Sequence, residues 1–311
     1  MKVFRDLDTL PTFKNAVITI GSYDGVHWGH QMIFNRIQQL AKEVDGESVA
    51  ITFHPHPRQI VYPKDKSLKL ITSIEEKIEL LAACGFDNAV IVPFTIEFSQ
   101  QSPDEYIERL IENFDPRYIV IGYDHRFGLN RQGDINYLRW HAKTKNFEVI
   151  EIEKQELDEI AVSSTKVRAA IQAGNIQKAT QLLNHSFFLT GKVVHGQKLG
   201  NQIGYPTANL KIEDSFKILP LDGIYAVYAH YEGKRYGGML YIGTRPTITD
   251  HNQKSIEVNI FDFNQNIYGK QLKLELVAFI RGDQKFETLE ALKVQLADDK
   301  EKTVALLKKK S

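Results

Sequence analysis

The first half of the chain alternates short apolar segments with longer amphipathic ones, and this rhythm constrains the fold more than any other feature. Runs such as NAVITIG (15–21), ESVAITF (47–53) and NAVIVPF (88–94) are almost continuously apolar. Segments between them, such as HQMIFNRIQQLAKEV (30–44), carry apolar residues at helical spacing. Apolar strands that alternate with helices predict a parallel sheet with helices on both faces and right-handed crossovers.

In the second half the hydrophobic pattern changes to period two. The segments FFLTGKVVHG (187–196), SIEVNIFDF (255–263) and QLKLELVAFIR (271–281) are separated by turns rich in Gly, Asn and Asp. This pattern predicts a mainly antiparallel, barrel-like β domain, and a charged amphipathic helix is expected to close the chain. We therefore predict two domains, residues 1–184 and 185–311, and a chain of 311 residues is long enough for both.

The composition argues against several classes of function. Lys plus Arg and Asp plus Glu each number 39, so no basic excess indicates a nucleic-acid partner. The single cysteine, Cys84, excludes an internal disulfide and a multi-cysteine metal site, which fits a reducing compartment. No run approaches the roughly 18 apolar residues of a membrane span. We expect a cytoplasmic protein that binds neither nucleic acid nor membrane.

The stretch GSYDGVHWGH (21–30) lies where the first predicted strand ends and the first helix begins. In an open α/β sheet this is the expected ligand crevice, and a helix N-terminus attracts anions. His27 and His30 are three residues apart and share a face if both lie in the first helical turn. Gly25 and Gly29 leave room for the backbone to approach a ligand. The stretch therefore predicts an anion-binding site.

Two other interpretations of this stretch stay open. The first is a Gly/Asp turn followed by a capped helix with two surface histidines. The second is a zinc site, to which HPHP (54–57) could add a ligand, although helical zinc ligands are more familiar at a spacing of four residues.

A strand followed by H-x-G-H at a helix start resembles the nucleotidyltransferase branch of the HIGH-motif superfamily, which includes class I aminoacyl-tRNA synthetases. The segments TFHPHP (52–57), GYDHRFGLNRQGD (122–134) and VSSTKVR (162–168) narrow the resemblance. Their order and spacing are similar to those of the prokaryotic bifunctional riboflavin kinase/FMN adenylyltransferases, also called FAD synthetases. The resemblance covers nearly the whole chain and implies a Rossmann-like N-terminal nucleotidyltransferase domain.

The resemblance implies roles for specific residues of this domain. His27 and His30 would be the catalytic donors to phosphate oxygens, and His56 would lie on the flavin side. A Ser/Thr run before a helix is also a typical N-cap, but three hydroxyls and an arginine exceed what a cap needs. The residues expected to contact ATP or its phosphates are Gly21, Asp24, Gly25, Asp124, Ser163, Ser164, Thr165 and Arg168.

A second motif, HGQKLGNQIGYPTANL (195–210), contains glycines at every fourth position and ends in Pro-Thr-Ala-Asn. A glycine-rich segment after a strand can wrap phosphates, although a Thr-Ala-Asn turn that merely closes a loop is the alternative. The GYPTAN portion resembles the riboflavin kinase signature, which assigns Thr207 and Asn209 to Mg²⁺ and the ATP phosphates. The other candidates for the kinase ATP site are Gly196, Lys198, Gly200, Gly204 and Pro206.

Glu257 stands on the polar face of SIEVNIFDF, opposite the apolar Ile256 and Val258. Glutamate is disfavoured within strands, so Glu257 is either functional or simply solvated. The resemblance selects it as the catalytic base that accepts the proton of the riboflavin 5′-hydroxyl. It also makes Arg281 a candidate flavin neighbour, with a surface arginine as the alternative.

The expected function is therefore the synthesis of flavin cofactors. The C-terminal domain would phosphorylate riboflavin to FMN with ATP, and the N-terminal domain would adenylylate FMN to give FAD and pyrophosphate, with Mg²⁺ as the metal. We expect a monomer or weak oligomer. A HIGH-type transferase for another substrate, such as an amino acid, is one alternative, which the balanced charge disfavours. A flavin-binding storage or regulatory protein with vestigial catalytic residues is the other.

Overall fold

The chain forms two compact units, Met1–Ser164 and Thr165–Ser311. A computed structural model of the protein describes residues 1–65, 67–152, 162–196, 204–244 and 254–308. The first unit contains the expected α/β sheet and the second the expected barrel, so the predicted fold class is confirmed. The functional domain boundary after residue 184 stays a prediction.

Six strands form the sheet of the first unit, and all neighbouring pairs are parallel. They are β1 (Lys2–Phe4), β2 (Val17–Ile20), β3 (Ser48–His54), β4 (Asn88–Pro93), β5 (Tyr118–Gly122) and β6 (Glu148–Ile152), in the order β1-β4-β3-β2-β5-β6. The three-residue strand β1 was not expected, because so short a segment carries no recognisable period.

The strand order creates a switch point at the centre of this sheet. From β2 the chain proceeds outward through β3 to β4 and then crosses to β5, on the other side of β2. The carboxyl ends of β2 and β5 therefore border the crevice where ligands bind in open α/β sheets. Residues 21–27, which we call the histidine loop, follow β2 at this crevice, and the GYDHRFG segment follows β5.

Helices and apolar clusters cover both faces of the sheet. The helices are α1 (Trp28–Glu43), α2 (Pro57–Val61), α3 (Ile74–Ala83), α4 (Ile96–Ser99), α5 (Pro103–Phe114) and α6 (Ile135–Ala142). Successive strand residues point to opposite sides: Ile18 and Val49 belong to one buried cluster, and Val17 and Ala50 to the other. The strands are almost continuously apolar because their side chains pack into a buried cluster on each face of the sheet.

The second unit is a closed barrel of six antiparallel strands. Helices α7 (Ser164–Gln172) and α8 (Ile176–Leu183) precede the strands β7 (Phe188–Val194), β8 (Ala208–Lys211), β9 (Gly223–Tyr231), β10 (Lys234–Thr244), β11 (Lys254–Ile260) and β12 (Gln271–Gly282), and helix α9 (Leu289–Lys308) ends the unit. The barrel order is β10-β11-β8-β7-β12-β9. Among the described residues no helix is long and apolar enough to cross a membrane.

A buried ion pair attaches helix α9 to the barrel. The Arg281 guanidinium on β12 donates to both carboxylate oxygens of Asp299, from Nε at 3.0 and 3.1 Å and from Nη2 at 2.8 Å. Asp299 is completely buried, and Gln295 also donates to it. The described contacts of Arg281 are therefore structural, and the flavin contact expected for it stays a prediction.

We expect Asp299→Ala to destabilise the protein strongly, because it leaves the Arg281 charge unpaired in a largely buried position. Loss of one partner from such a pair costs about 3–5 kcal/mol. Asp298→Ala is the matched control, since this neighbouring carboxylate is half exposed and pairs with Lys302 on the helix surface, where solvent screens the interaction and leaves it a small effect on stability. Urea unfolding followed by circular dichroism measures both changes, and equal destabilisation would contradict the anchoring role.

Candidate active sites

His27 is the N-cap of helix α1. The backbone of His27 is extended, and its Nδ1 accepts a hydrogen bond from the backbone N–H of His30 at 3.4 Å. The two imidazole rings stack with 3.6 Å between their centroids and 13° between their planes. The start of the helix therefore presents two parallel imidazoles at the carboxyl end of β2.

The geometry favours neutral forms of both imidazoles. Because Nδ1 of His27 is an acceptor, a neutral His27 carries its proton on Nε2, where it is a donor. Burial, together with His27 and Lys77, lowers the pKa of His30 well below its ordinary value. Nδ1 of His30 is buried and has no hydrogen-bond partner among the residues that the structure describes. Nε2 of His27 and Nδ1 of His30 are therefore the ring nitrogens of this pair that a ligand could contact through hydrogen bonds.

The histidine loop has a constrained backbone. Tyr23, Gly25 and Val26 have φ angles of 44°, 83° and 42°, a region that is unusual for a tyrosine and strained for a β-branched valine. A Cβ on Gly25 would lie 2.9 Å from the side chain of Ile71, and one on Gly21 would lie 2.7 Å from the Tyr23 ring. Gly21 is therefore closely packed within the loop, and Gly25 is closely packed against Ile71 outside it.

The side chain of Asp24 connects the histidine loop to the segment before α3. Its buried carboxylate accepts hydrogen bonds from the backbone N–H groups of Ile71 at 2.8 Å and Thr72 at 3.1 Å. The backbone N–H of Gly25 donates to the Thr72 hydroxyl at 3.1 Å. These contacts give Asp24 a structural task, and its expected contact with ATP stays a prediction.

Lys77 is a component of the site that the sequence reasoning missed. It lies in α3, is only 5% exposed, and donates from Nζ to the Thr52 hydroxyl at 3.3 Å. A lysine in an amphipathic helix is normally taken as a surface residue. The signal that could have found it is its spacing from Ile74 and Leu81, which places it on the buried face of the helix.

The VSSTKVR segment meets the histidine loop at one described contact. The Ser164 hydroxyl donates to the backbone carbonyl of Asp24 at 3.2 Å, which joins two motifs that are 140 residues apart in the chain. Ser163 is exposed. Thr165 and Arg168 belong to the second unit, so their expected contacts with ATP stay predictions.

Asp124 and an aromatic cluster occupy the neighbouring strand ends. Asp124 is exposed in the turn after β5. The rings of the cluster, which contact one another at centroid distances of 4.9 to 6.1 Å, are Phe53, Phe94, Phe98, Tyr106 and Phe127. A cleft of about 340 Å³ that includes Phe98 and Arg109 lies beside them. Tyr106 and Phe127 are buried in the core, whereas Phe53, Phe94 and Phe98 are partly exposed. The sequence pattern does not group these rings because they come from separate strands, helices and loops.

His56, expected near the flavin, is the N-cap of the short helix α2. Its Nδ1 accepts from the backbone N–H of Arg58 at 3.2 Å, and its own backbone N–H donates to the Gln59 side chain at 2.8 Å. This reciprocal capping fixes the Pro-rich turn after β3. A flavin contact by His56 stays a prediction.

In the second unit, the strands bring Thr207, Asn209 and Glu257 together. Asn209 on β8 pairs directly with Glu257 on β11, so the two side chains share a face. The Thr207 hydroxyl donates to Oε2 of Glu257 at 3.4 Å, and the Ser255 hydroxyl donates to Oε1 at 2.6 Å. Glu257 is 8% exposed. A buried carboxylate thus lies beside the Pro-Thr-Ala-Asn segment.

The segment around these residues is tightly fitted. A Cβ on Gly196 would lie 2.1 Å from Nδ2 of Asn209, so only glycine allows this amide its position. The Asn259 amide donates to the carbonyl of Pro206 at 2.7 Å and fixes the turn before Thr207. Gly204 has a φ of 82°, and a Cβ added there would meet nothing within 4 Å. The candidates Lys198 and Gly200 lie outside the described residues.

The donor chemistry of this cluster fits Mg²⁺. A threonine hydroxyl and an asparagine amide oxygen are ligands suited to a hard cation that keeps several waters and binds nucleotide phosphates. Within the described part of the chain, no group of three His, Cys, Asp or Glu residues could hold a metal. The described residues thus offer no zinc cluster around the two histidines, and the oxygen donors beside Glu257 are the candidate metal site.

Family models match both halves of the chain. The FAD synthetase family matches residues 10–166 and the riboflavin kinase family matches residues 183–307. The bifunctional riboflavin kinase/FMN adenylyltransferase of Listeria monocytogenes is 35% identical over 295 residues, covering 95% of this chain and 93% of its own. Its Bacillus subtilis counterpart is 34% identical over 291 residues, covering 93% and 92%.

A solved structure is similar over almost the whole chain. It is a crystal structure described as a macrolide-efflux protein from Streptococcus pneumoniae, with a TM-score of 0.85, 30% identity and coverage of 97% of both chains. The efflux activity in that description belongs to that protein. The similarity extends the fold assignment to nearly the full length of the present chain.

The first unit has a histidine pair at the switch point of its sheet, and the barrel that follows has a cluster of Thr, Asn and Glu. Together with the matched families, these features define a two-domain transferase of phosphorus-containing groups. The two matched domains follow one another in the order expected from the sequence. The chain belongs to the bifunctional riboflavin kinase/FMN adenylyltransferase family. The family and the enzyme class expected from the sequence are confirmed.

We expect Gly196→Ala to impair the kinase selectively, because the new methyl group would displace the Asn209 amide. A displacement of about 1 Å in a positioning group can lower a rate by about 100-fold. The matched control is Gly282→Ala, since a Cβ there meets nothing within 4 Å. Chromatographic measurement of FMN formed from riboflavin compares the two, and an equal loss in both would contradict the role of Asn209.

Proposed function

We propose that the crevice at the ends of β2 and β5 is where the first unit transfers an adenylyl group from ATP to FMN. An FMN phosphate oxygen attacks the α-phosphorus of ATP, the bond from that phosphorus to the bridging oxygen breaks, and pyrophosphate leaves. The nucleophile is already ionised, so catalysis consists mainly of positioning and charge stabilisation. The stacked pair of His27 and His30 at a helix N-terminus is the observation that carries this proposal.

The histidines would donate N–H groups to phosphate oxygens that gain charge in the transition state. Nε2 of His27 is the donor that remains after Nδ1 has capped the helix. The Ser164 hydroxyl and the positive end of α1 lie at the same loop. The partly exposed rings of Phe53, Phe94 and Phe98, near the ends of β3 and β4, would offer an apolar position for the isoalloxazine ring. Asp124, exposed after β5, would contact the nucleotide.

We propose that Glu257 is the base of the kinase reaction in the barrel. Its carboxylate accepts the proton of the riboflavin 5′-hydroxyl as that oxygen attacks the γ-phosphorus of ATP, and ADP leaves. Thr207 and Asn209 would hold Mg²⁺ and orient the phosphates. The metal, when bound, neutralises charge on the phosphate oxygens. The hydrogen bonds of Glu257 with Ser255 and Thr207 support this role because they fix the direction of the carboxylate.

We further propose that the protein works in the cytoplasm as a monomer or weak oligomer, with small-molecule substrates and no nucleic-acid partner. The single cysteine and the balanced charge support these assignments. Incubation with ATP, Mg²⁺ and riboflavin, followed by separation of the products, distinguishes an active enzyme from a flavin-binding protein. Tight flavin binding without FMN or FAD would favour the binding protein.

We expect Glu257→Gln to lower FMN formation from riboflavin by at least about 100-fold, because an amide cannot accept the hydroxyl proton. FAD formation from supplied FMN should be retained. Glu275→Gln is the matched control, since this half-buried carboxylate of the same barrel bonds to His230 and Ser186 instead. Unchanged FMN production by Glu257→Gln would remove Glu257 from the role of base.

We expect His30→Ala to lower FAD formation by about 100-fold, the typical cost of losing one donor to a developing negative charge. Kinase activity should persist, because Glu257 lies in the other unit. His141→Ala is the matched control, as this buried histidine of the same unit bonds to Asp104. Rates of both half reactions are measured on each variant, and an equal loss of both activities in His30→Ala would indicate a folding defect instead.

A further inference from the structure

The polar face of strand β11 carries Ser255, Glu257 and Asn259, which alternate with buried apolar residues of the strand. Two of these three residues already have a task at the kinase site. Glu257 is the proposed base, and the Asn259 amide donates to the carbonyl of Pro206 at 2.7 Å. Ser255 belongs to none of the candidate site residues, so its task follows from its contacts.

The Ser255 hydroxyl makes a short hydrogen bond with the base. It donates to Oε1 of Glu257 at 2.6 Å, a length typical of a hydroxyl bound to a carboxylate. The two side chains leave the same strand two residues apart, and β11 is paired with β10 on one side and β8 on the other. Because the backbone is held on both sides, this bond restricts the direction of the carboxylate.

Strand β10 covers one side of this hydrogen bond. Tyr241 pairs directly with Glu257, and Gly243 pairs with Ser255. A Cβ on Gly243 would lie 2.1 Å from the hydroxyl oxygen of Tyr241, so the phenol occupies the place of a side chain opposite Ser255. The same phenol donates to Oδ2 of Asp283 at 3.3 Å. Tyr241 therefore lies beside both partners of the bond, and Glu257 is only 8% exposed.

The second oxygen of the Glu257 carboxylate has different surroundings. The Thr207 hydroxyl donates to Oε2 at 3.4 Å, and Asn209 pairs with Glu257 on the β8 side. Thr207 and Asn209 belong to the segment proposed to hold the ATP phosphates. Oε2 thus lies on the side of the attacked phosphorus, while Oε1 is bound by Ser255.

We propose that Ser255 is a positioning residue of the kinase, which holds Oε1 of Glu257 so that Oε2 accepts the proton of the riboflavin 5′-hydroxyl. In this step the O–H bond breaks, the proton goes to Oε2, and the hydroxyl oxygen forms a bond to the γ-phosphorus of ATP. The bond from that phosphorus to the bridging oxygen breaks, and its electron pair leaves with ADP. The inference rests on the proposed role of Glu257 as the base, through which Ser255 acts.

The test compares Ser255→Val with Ser255→Thr in the full-length chain. Both new side chains are β-branched and suit a strand, but only threonine keeps a hydroxyl. Ser255→Val should lower kcat for FMN formation by roughly 10- to 100-fold, the effect of losing a hydrogen bond to a charged group. The KM values for riboflavin and ATP should stay unchanged, because neither substrate contacts Ser255. Ser255→Thr should retain most of kcat.

Ser186→Val is the matched control. The Ser186 hydroxyl donates to Oε1 of Glu275 at 2.8 Å, so this substitution removes a similar bond to another carboxylate of the same barrel. It should leave kcat for FMN formation unchanged. Thermal unfolding followed by circular dichroism checks the folding of each variant, and FAD formation from supplied FMN checks the first unit.

A double variant tests whether Ser255 acts through Glu257. Adding Ser255→Val to Glu257→Gln should lower the residual rate little further, because residues that act as one unit are not additive. A further loss as large as that in the wild-type background overturns the proposal. Unchanged FMN production by Glu257→Gln alone would instead reject the proposed base, so the two failures are distinguishable.

Three other results also overturn the proposal. They are equal kcat values in Ser255→Val and Ser255→Thr, a rise in KM without a loss of kcat in Ser255→Val, and an equal loss of kcat in Ser186→Val. If Ser255→Val does not fold, Ser255→Ala replaces it, and a kcat equal to that of Ser255→Thr then contradicts the role of the hydroxyl.

Discussion

An imidazole can cap a helix through Nδ1 only while that nitrogen keeps its lone pair. The start of α1 depends on this condition, because His27 accepts from the backbone N–H of His30. The same bond brings the two rings into a parallel stack and leaves Nε2 of His27 as the donor. Helix start, ring geometry and protonation state are therefore one coupled arrangement, and the proposed chemistry of the first unit uses all three.

The two candidate sites are built in different ways. In the first unit, a helix N-terminus and neutral imidazoles meet at the switch point of a parallel sheet. In the second, adjacent antiparallel strands place Asn209 opposite Glu257, and a glycine at position 196 leaves room for the amide. Both arrangements hold polar groups on strands or at a helix end, where packing restricts their motion, which is what positioning catalysis requires.

The fold was predictable from the sequence because its signals are local. Apolar runs and helical spacing identified five of the six strands of the sheet, and period-two segments identified the barrel, but β8 has only four residues and stayed hidden in the Pro-Thr-Ala-Asn segment. The histidine pair and Glu257 were found from spacing and from family resemblance. Lys77 and the aromatic cluster were missed because their roles arise from burial and from contacts between distant segments, which no local pattern encodes.

Two residues that the sequence suggested as ligand contacts, Asp24 and Arg281, also make hydrogen bonds that stabilise the protein. Asp24 holds the segment at Ile71, and Arg281 holds Asp299. A motif shows which residue types occur together, but it does not show which partner each side chain takes. Hydrogen-bond geometry supplies that information, since a carboxylate or guanidinium already bound by the protein has fewer positions left for a substrate.

The central proposal is that one chain carries two catalytic sites, with FMN made beside Glu257 in the barrel and adenylylated beside the histidine pair in the first unit. The most direct measurement mixes Glu257→Gln with His30→Ala and follows FAD formed from riboflavin, ATP and Mg²⁺. Each variant alone should produce almost no FAD from riboflavin, while the mixture should produce it, because one variant makes FMN and the other consumes it. Absence of FAD from the mixture would contradict two independent sites.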